Sequence, residues 1–159
     1  MTARAAVLTV SDRASAGVMP DESGPTVRHL LTEAGFEVDE MAVVPDDRAR
    51  IAGFLRSACG RHHLVVTTGG TGLGPRDVTP EATRGLLDYE VPGLGELMRA
   101  AGLRSTPLAA LSRSLAGVRG RTLIVNLPGS VRGARESLEA ILPVLPHAVQ
   151  LLRGEAPHG

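Results

Sequence analysis

Two aspartates and a run of glycines are the residues best suited to chemistry in this sequence. Residues 69–74 read GGTGLG, and Asp77 follows three positions later. Residues without a Cβ let consecutive backbone N–H groups turn toward one point, which forms a nest for an anion such as phosphate. A carboxylate beside that nest repels the anion unless a cation lies between them. The spacing therefore predicts a phosphate site at which Asp77, together with Asp46, binds Mg²⁺.

Each of these residues also has an ordinary structural interpretation. The glycine run has P-loop spacing, but Pro75 occupies the lysine position, so it is not a Walker motif. A tight turn between a strand and a helix would use the same glycines. Asp46 or Asp47 could cap a helix. Asp77 could be a solvated loop acid or the salt-bridge partner of Arg76.

Other polar side chains indicate chemistry less clearly. Cys59 is the single cysteine and lies in a predicted helix, where a buried, inert thiol is the default interpretation. His62 and His63 are adjacent and cannot face one metal from the same side, so we expect a solvated loop. Three arginines could form an anion-binding patch or simply be solvated: Arg99, Arg104 and Arg113.

The elements that must position these residues follow from the apolar pattern. A buried strand is predicted at residues 5–10, and further strands are predicted within 36–44, at 64–68 and at 122–126. Helices are predicted over 23–35, from 46 or 47 to 59 or 60, over 79–87, 93–103, 130–142 and 143–152, with short extended pieces within 112–118. Strands that alternate with helices predict a parallel sheet covered on both faces.

The unusual residues fall where such a sheet binds ligands, beyond the carboxyl ends of its strands. Ser11 and Asp12 follow the first strand, and Asp46 follows the second. The segments 69–77 and 126–129 follow the third and the last strands. Four segments that converge on one edge predict a single site there.

Composition narrows the possible partners. The chain has 159 residues, and we expect one domain over 1–159 with an ordered core at about 4–153 and a polar C-terminal tail. Its 17 basic and 17 acidic residues cancel, and three aromatic side chains provide no stacking platform, so we expect no nucleic-acid partner. All basic residues besides histidine are arginines, which excludes lysine chemistry.

No apolar segment spans a membrane and no signal peptide opens the chain, so we expect a cytoplasmic protein.

Several of these motifs together resemble a known family. Residues 67–72 (TTGGTG) and 75–83 (PRDVTPEAT) closely resemble the signature of the MoaB/Mog family of molybdenum cofactor biosynthesis. That family includes molybdopterin adenylyltransferases and the G domain of gephyrin. Five further blocks follow the family's order, so the resemblance spans nearly the whole chain: 9–13 (TVSDR), 44–46 (VPD), 92–98 (PGLGELM), 111–113 (LSR) and 126–129 (NLPG).

The resemblance implies a fold and a reaction. The implied fold is α/β, a three-layer α/β/α sandwich around a mostly parallel sheet of the molybdopterin-binding type, assembled as a homotrimer. In the implied reaction, the phosphate of molybdopterin attacks the α-phosphate of Mg-ATP and pyrophosphate leaves. Adenylyl-molybdopterin then passes to the enzyme that inserts molybdenum.

The resemblance also implies roles for particular residues. Asp46 and Asp77 match the family's catalytic acids, and we expect both to bind the magnesium ion. Nucleotide phosphates and the pocket that holds them are expected at Gly69, Gly70, Thr71, Gly72, Asn126, Pro128 and Gly129. The pterin side is expected at Ser11, Glu96, Ser112 and Arg113.

Two alternatives stay open at this point. Some MoaB-type members differ at the acidic positions, and the chain could be a non-catalytic molybdopterin-binding or scaffold protein. It could also be an unrelated nucleotide-binding domain, although only the glycine loop supports that interpretation. Both Asp46 and Asp77 are present here, which favours an enzyme.

Overall fold

Six strands form one mixed sheet in the computed structural model, which describes residues 2–155. They are β1 (Arg4–Val10), β2 (Glu37–Val44), β3 (Leu64–Thr68), β4 (Tyr89–Glu90), β5 (Ala116–Arg119) and β6 (Thr122–Leu127). The spatial order is β2-β1-β3-β6-β5-β4. The first four strands in that order are parallel, whereas β5 and β4 are antiparallel additions at one edge. The predicted mostly parallel sheet is confirmed.

Helices cover both faces of this sheet. They are α1 (Asp12–Ser15), α2 (Ser23–Glu33), α3 (Arg48–Cys59), α4 (Thr79–Arg84), α5 (Pro92–Leu103), α6 (Val131–Ile141) and α7 (Leu145–Leu152), with a 3₁₀ helix at Pro107–Leu111. Side chains alternate along β1, so Ala5 and Val7 join a core with α2, α5, α6 and α7, while Ala6 and Leu8 join a second core with α3 and α4. Two cores on opposite faces confirm the three-layer sandwich.

The chain departs from the predicted elements in several short segments. Helix α4 ends at Arg84 instead of reaching Leu87, because the Leu87 side chain packs against Gly117 as the chain turns into β4. Strand β4, helix α1 and the 3₁₀ helix were not predicted. The predicted polar C-terminal tail falls largely on residues 156–159, which lie outside the described residues.

The expectation for His62 is wrong, because its side chain is buried and not solvated. Only 5% of the residue is exposed, and its Nε2 atom lies 2.7 Å from Asp39 Oδ1. Its Nδ1 atom lies 3.1 Å from the Ala58 carbonyl at the end of α3. The ring therefore joins α3 to the edge strand β2.

The two candidate caps of α3 are distinguished by their contacts. Asp47 has extended backbone and accepts a hydrogen bond of 3.0 Å from the Arg50 N–H, so it is the N-cap. Asp46 is thereby free for another role at the carboxyl end of β2. Within residues 2–155, no helix is long and apolar enough to cross a membrane.

Candidate functional site

The loop after β3 has a backbone that only glycine permits. Gly69 and Gly70 have φ values of +108° and +73°. A Cβ on Gly69 would lie 2.1 Å from the Val10 carbonyl oxygen, and one on Gly70 would lie 2.3 Å from Thr79 Oγ1. Conformation and close packing therefore both require glycine at these two positions.

The carbonyl groups of this loop are held by fixed donors. The Thr79 hydroxyl donates to the Gly69 carbonyl at 2.9 Å, and the Thr79 N–H donates to the Gly70 carbonyl at 3.1 Å. Arg113 donates from its backbone N–H to Thr71 at 2.8 Å and from Nε to Gly72 at 2.9 Å. Within residues 2–155, the N–H groups of Gly70, Thr71 and Gly72 donate to no protein acceptor.

Arg113 is committed to holding the loop. Besides Gly72, its guanidinium contacts the Asp77 carbonyl at 2.9 Å and both carboxylate oxygens of Glu81. Hydrogen bonds from Arg113 lower the pKa of Glu81 below its usual value. Arg113 lies in a cleft beside the glycine loop together with Glu96 and Ser112, two other residues expected on the pterin side.

Asp46 and Asp77 both approach the glycine loop, as predicted. Asp77 Oδ2 accepts a hydrogen bond of 2.9 Å from Gly74 and lies 2.9 Å from the place a Cβ on Gly72 would take. Asp46 Oδ1 lies 3.2 Å from the corresponding place on Gly70. The loop glycines thus leave space for the two carboxylates.

Asp12 links Asp46 to the guanidinium group of Arg76. The Asp12 N–H donates to Asp46 Oδ2 and the Asp46 N–H donates to Asp12 Oδ1, each at 2.9 Å. The Arg76 guanidinium then binds Asp12 with two hydrogen bonds of 3.0 and 2.9 Å. Arg76 is therefore the partner of Asp12, and the alternative that pairs it with Asp77 is wrong.

The surroundings of Asp12 and Asp46 shift the pKa values of these two carboxyl groups in opposite directions. The hydrogen bonds from Arg76 and from the Asp46 N–H hold the pKa of Asp12 below its usual value. Burial raises the pKa of Asp46, and the negative charges of Asp12 and Asp77 raise it further against the opposing hydrogen bond from Asp12. A divalent cation beside Asp46 and Asp77 would relieve this repulsion.

A cavity of about 430 Å³ opens beside the loop, within the size range of small-molecule sites. One wall is formed by residues 70–72 and Asp77. The opposite wall comes from α5 and the 3₁₀ helix, including Met98 and Leu108. Pro128, Gly129 and the first turns of α6 complete it, so a helix N-terminus, which favours anions, borders the cavity.

Not every predicted residue reaches this cavity. Asn126 is fully buried beneath the loop, where its amide donates to Thr67 Oγ1 and Thr83 Oγ1 at 3.0 and 3.1 Å. It therefore supports the strand ends instead of lining the pocket. Ser11 caps α1 through a 3.1 Å bond from Ala14 and lines a separate cleft of about 220 Å³.

Three residues with clear roles in the geometry were given no binding or catalytic role in the sequence analysis: Asp12, Arg76 and Thr79. All lie inside motifs that the sequence makes conspicuous, TVSDR and PRDVTPEAT. Their partners are 9 to 64 positions away along the chain. The motifs therefore indicated that these residues matter, but the sequence did not indicate which residues they contact.

Two of the remaining candidates have structural roles. Arg99 donates to the Ser114 carbonyl at 2.7 Å and lines the wall of the cavity. Burial raises the pKa of the Cys59 thiol to about 11, which agrees with an inert side chain.

The fold and the site together define an α/β sandwich whose conspicuous polar loops meet at the carboxyl edge of its sheet. Residues 6–147 match the protein family described as "Probable molybdopterin binding domain". The chain belongs to this family, as its motifs predicted.

Individual relatives agree with that assignment. The molybdopterin adenylyltransferase of Helicobacter pylori strain J99 is 45% identical over 152 residues, covering 93% of this chain and 86% of that protein. Gephyrin of Dictyostelium discoideum is 41% identical over 94% of this chain but only 22% of its own length. A crystal structure of the molybdopterin biosynthesis enzyme MoaB from Thermus thermophilus has 57% identity and a TM-score of 0.91, covering 96% of this chain and 98% of that one.

The contacts of Gly70 predict a specific loss of stability. Gly70→Ala is expected to cost at least about 2 kcal/mol, because the methyl group meets Thr79 in addition to the backbone strain. Gly17→Ala is the matched control, since Gly17 has φ +74° with nothing within 4 Å of its Cβ position, and should cost about 1 kcal/mol. Urea unfolding measures both, and equal losses would contradict the role of the Thr79 contact.

The raised pKa of Asp46 predicts how its neutralisation affects stability. Between the usual Asp pKa and the higher folded value, the native state binds more protons than the unfolded state, so wild-type stability falls as pH rises. Asp46→Asn removes this contribution. The variant should gain stability relative to wild type as the pH rises above the usual Asp pKa, as measured by urea unfolding.

The charge-matched control is Asp47→Asn, which retains a good N-cap and changes the same net charge. It should not reproduce the gain. A difference between Asp46→Asn and wild type that stays constant or shrinks with rising pH would contradict the electrostatic account.

Proposed function

We propose that this protein is a molybdopterin adenylyltransferase of molybdenum cofactor biosynthesis. The supporting observation is the glycine loop whose N–H groups at residues 70–72 lack protein acceptors within residues 2–155 and lie beside Asp46 and Asp77. The relatives that carry this activity in their names match nearly the full length of the chain. A phosphate oxygen of molybdopterin would form a bond to the α-phosphorus of ATP, and the bond to the pyrophosphate oxygen would break.

The residues of the loop are suited to this transfer because it needs positioning and charge neutralisation more than covalent chemistry. Fixed donors at residues 70–72 would bind phosphate oxygens without rearranging, since Thr79 and Arg113 already hold the loop carbonyls. The N-terminus of α6 would add a favourable dipole from the Ser130 side of the cavity. No lysine is required.

The donor set at the loop fits magnesium. Mg²⁺ is usually held by one or two carboxylates together with substrate phosphates, not by a cage made of protein alone. Asp46 and Asp77 supply two carboxylates, while Asp12 is already paired with Arg76. When bound, the ion would neutralise phosphate charge, and Asp46 and Asp77 would hold it in place.

Two adjoining clefts suggest how both substrates fit. The cavity of about 430 Å³ beside the glycine loop suits the nucleotide, and the neighbouring cleft of about 350 Å³ contains Glu96 and Arg113. Arg99 and Ser112 line both spaces, so the two reacting phosphates could meet at that boundary. Pterin contacts at Glu96, Ser112 and Arg113 belong to this arrangement, whereas a pterin contact at Ser11 would reach in from the separate cleft of about 220 Å³.

The proposal includes assembly, location and hand-over. Leucines on α5 and the 3₁₀ helix, among them Leu103 and Leu108, are exposed by 49% and 69%. This apolar surface lies at the rim of the cavity and is suited to burial in a homotrimer. We place the protein in the cytoplasm, where adenylyl-molybdopterin would pass to a molybdenum insertase.

Adenylylation of molybdopterin by the purified protein with ATP and Mg²⁺ tests the proposal. Pyrophosphate release and the adenylylated pterin are followed for wild type, Asp77→Asn and Asp46→Asn. Each substitution keeps the side-chain shape and removes a negative charge, so we expect product formation to fall at least about 100-fold. Asp47→Asn is the matched control and should retain the rate, because Asp47 caps α3 away from the loop.

The outcome also separates the enzyme from its main alternative. If wild type binds molybdopterin but forms no product with any divalent metal, the protein is a pterin carrier or scaffold. If both aspartate variants keep the wild-type rate, the assignment of the catalytic acids is wrong.

A further inference from the structure

A second large cleft lies at the opposite edge of the sheet from the glycine loop. It measures about 840 Å³ and is formed where the parallel strands begin, by Arg4 of β1, His63 before β3 and Thr122 of β6. Strand β3 runs from this cleft to the glycine loop, and its five residues span roughly 17 Å. This amino-edge cleft is therefore distinct from the proposed active site.

The cleft concentrates positive charge although the whole chain is neutral. Six of the seventeen arginines line it, whereas Glu155 is the one carboxylate among its described lining residues. These arginines come from separate parts of the sequence: Arg4, Arg56, Arg61, Arg119, Arg121 and Arg153. Folding thus gathers cations that are dispersed along the chain.

Half of these arginines already have carboxylate partners. Arg4 pairs with Asp39 at 3.3 Å, Arg61 with Glu40 at 2.8 Å and Arg153 with Glu155 at 2.9 Å. These pairs neutralise part of the positive charge of the cleft.

The other three arginines have no ion pair with any carboxylate in the described part of the chain. Arg56 and Arg121 are exposed, and Arg119 is oriented by a 3.0 Å bond to the Leu86 carbonyl. Asp88 lies nearby, but its Oδ2 accepts a bond of 2.7 Å from the Gly120 N–H. Arg56 and Arg121 therefore remain available at this cleft, and Arg119 retains the guanidinium donors that do not bind Leu86.

The charges of the arginines also act on the histidine in the cleft. Burial lowers the pKa of His63, and the charges of Arg153 and Arg4 lower it further. Helix α3 ends at the cleft with its C-terminal carbonyls, which disfavour anions at this edge. Guanidinium groups, not backbone dipoles, must therefore provide any attraction for an anion.

We propose that the amino-edge cleft binds a small, multiply charged phosphate anion of the triphosphate class. Guanidinium groups bind phosphate oxygens in pairs of parallel hydrogen bonds, and three such groups match a chain of linked phosphates better than a single monovalent ion. The volume of about 840 Å³ accommodates such a chain with water. The site is separate from the proposed adenylyl transfer and does not depend on it.

Isothermal titration calorimetry with inorganic tripolyphosphate, in a buffer that contains EDTA, measures binding at this cleft. EDTA removes divalent metal, so the Asp46 and Asp77 edge remains repulsive to the probe while the arginines need no metal. We expect one bound tripolyphosphate per chain. The double variant Arg56→Gln/Arg121→Gln should weaken binding at least about tenfold, because it removes two of the three available guanidinium groups.

The matched control is Arg28→Gln/Arg135→Gln, which changes net charge equally at exposed positions outside the cleft. It should bind as tightly as wild type. Backbone NMR shifts supply the location, with changes expected at His63 and Gly120 and not at residues 70–72. Urea unfolding of both double variants verifies that neither loss reflects misfolding.

Three results would overturn the proposal. They are no binding by wild type in EDTA, an equal loss in the control, or NMR changes confined to the glycine loop. The titration contains no ATP, molybdopterin or divalent metal, so failure of the adenylylation proposal and failure of this one are distinguishable.

Discussion

The left-handed turn at Gly69 and Gly70 determines where everything else at the carboxyl edge can lie. It reverses the chain directly after β3 and brings Gly69 within contact of Val10 and Gly129 from the two neighbouring strand ends. The loop carbonyls then meet Thr79 and Arg113, and the N–H groups at 70–72 are left without protein acceptors among the described residues. An orientation that backbone sterics and buried hydrogen bonds fix in advance costs little reorganisation when a ligand binds.

The three aspartates at this edge have different roles. Asp12 interlocks with the Asp46 backbone and takes the Arg76 guanidinium, which leaves Asp46 and Asp77 facing the loop as two carboxylates. Burial and mutual repulsion raise the pKa of Asp46, so the fold carries an electrostatic cost at the site. Functional positions commonly show this conflict between stability and activity.

Sequence reasoning succeeded where pattern and position carry the information. The four parallel strands and the longer helices have enough apolar periodicity to be recognised, and the loops after the strands must share one edge. Elements of two to four residues, such as β4 and α1, are too short to show a period. The choice between Asp46 and Asp47 as the cap of α3 depends on the contact with Asp12, 34 positions away. Likewise, the pattern predicts Arg113 near an anion, but its Nε donates to the carbonyl of Gly72, 41 positions earlier.

Net charge was the least informative quantity. The net charge is zero, yet six arginines lie at the amino edge and several aspartates lie at the carboxyl edge. Folding brings together like charges that are dispersed along the sequence. The two ends of the sheet consequently favour different anion chemistry. At the carboxyl edge an anion needs backbone donors and a cation, whereas the arginines of the amino-edge cleft need neither.

A crystal structure with Mg²⁺ and an ATP analogue that cannot be cleaved between the α- and β-phosphates would show whether the glycine loop binds the nucleotide phosphates. We expect phosphate oxygens within hydrogen-bond distance of the N–H groups of Gly70, Thr71 and Gly72. A nucleotide whose phosphates lie away from this loop, in the amino-edge cleft or elsewhere, would contradict this expectation.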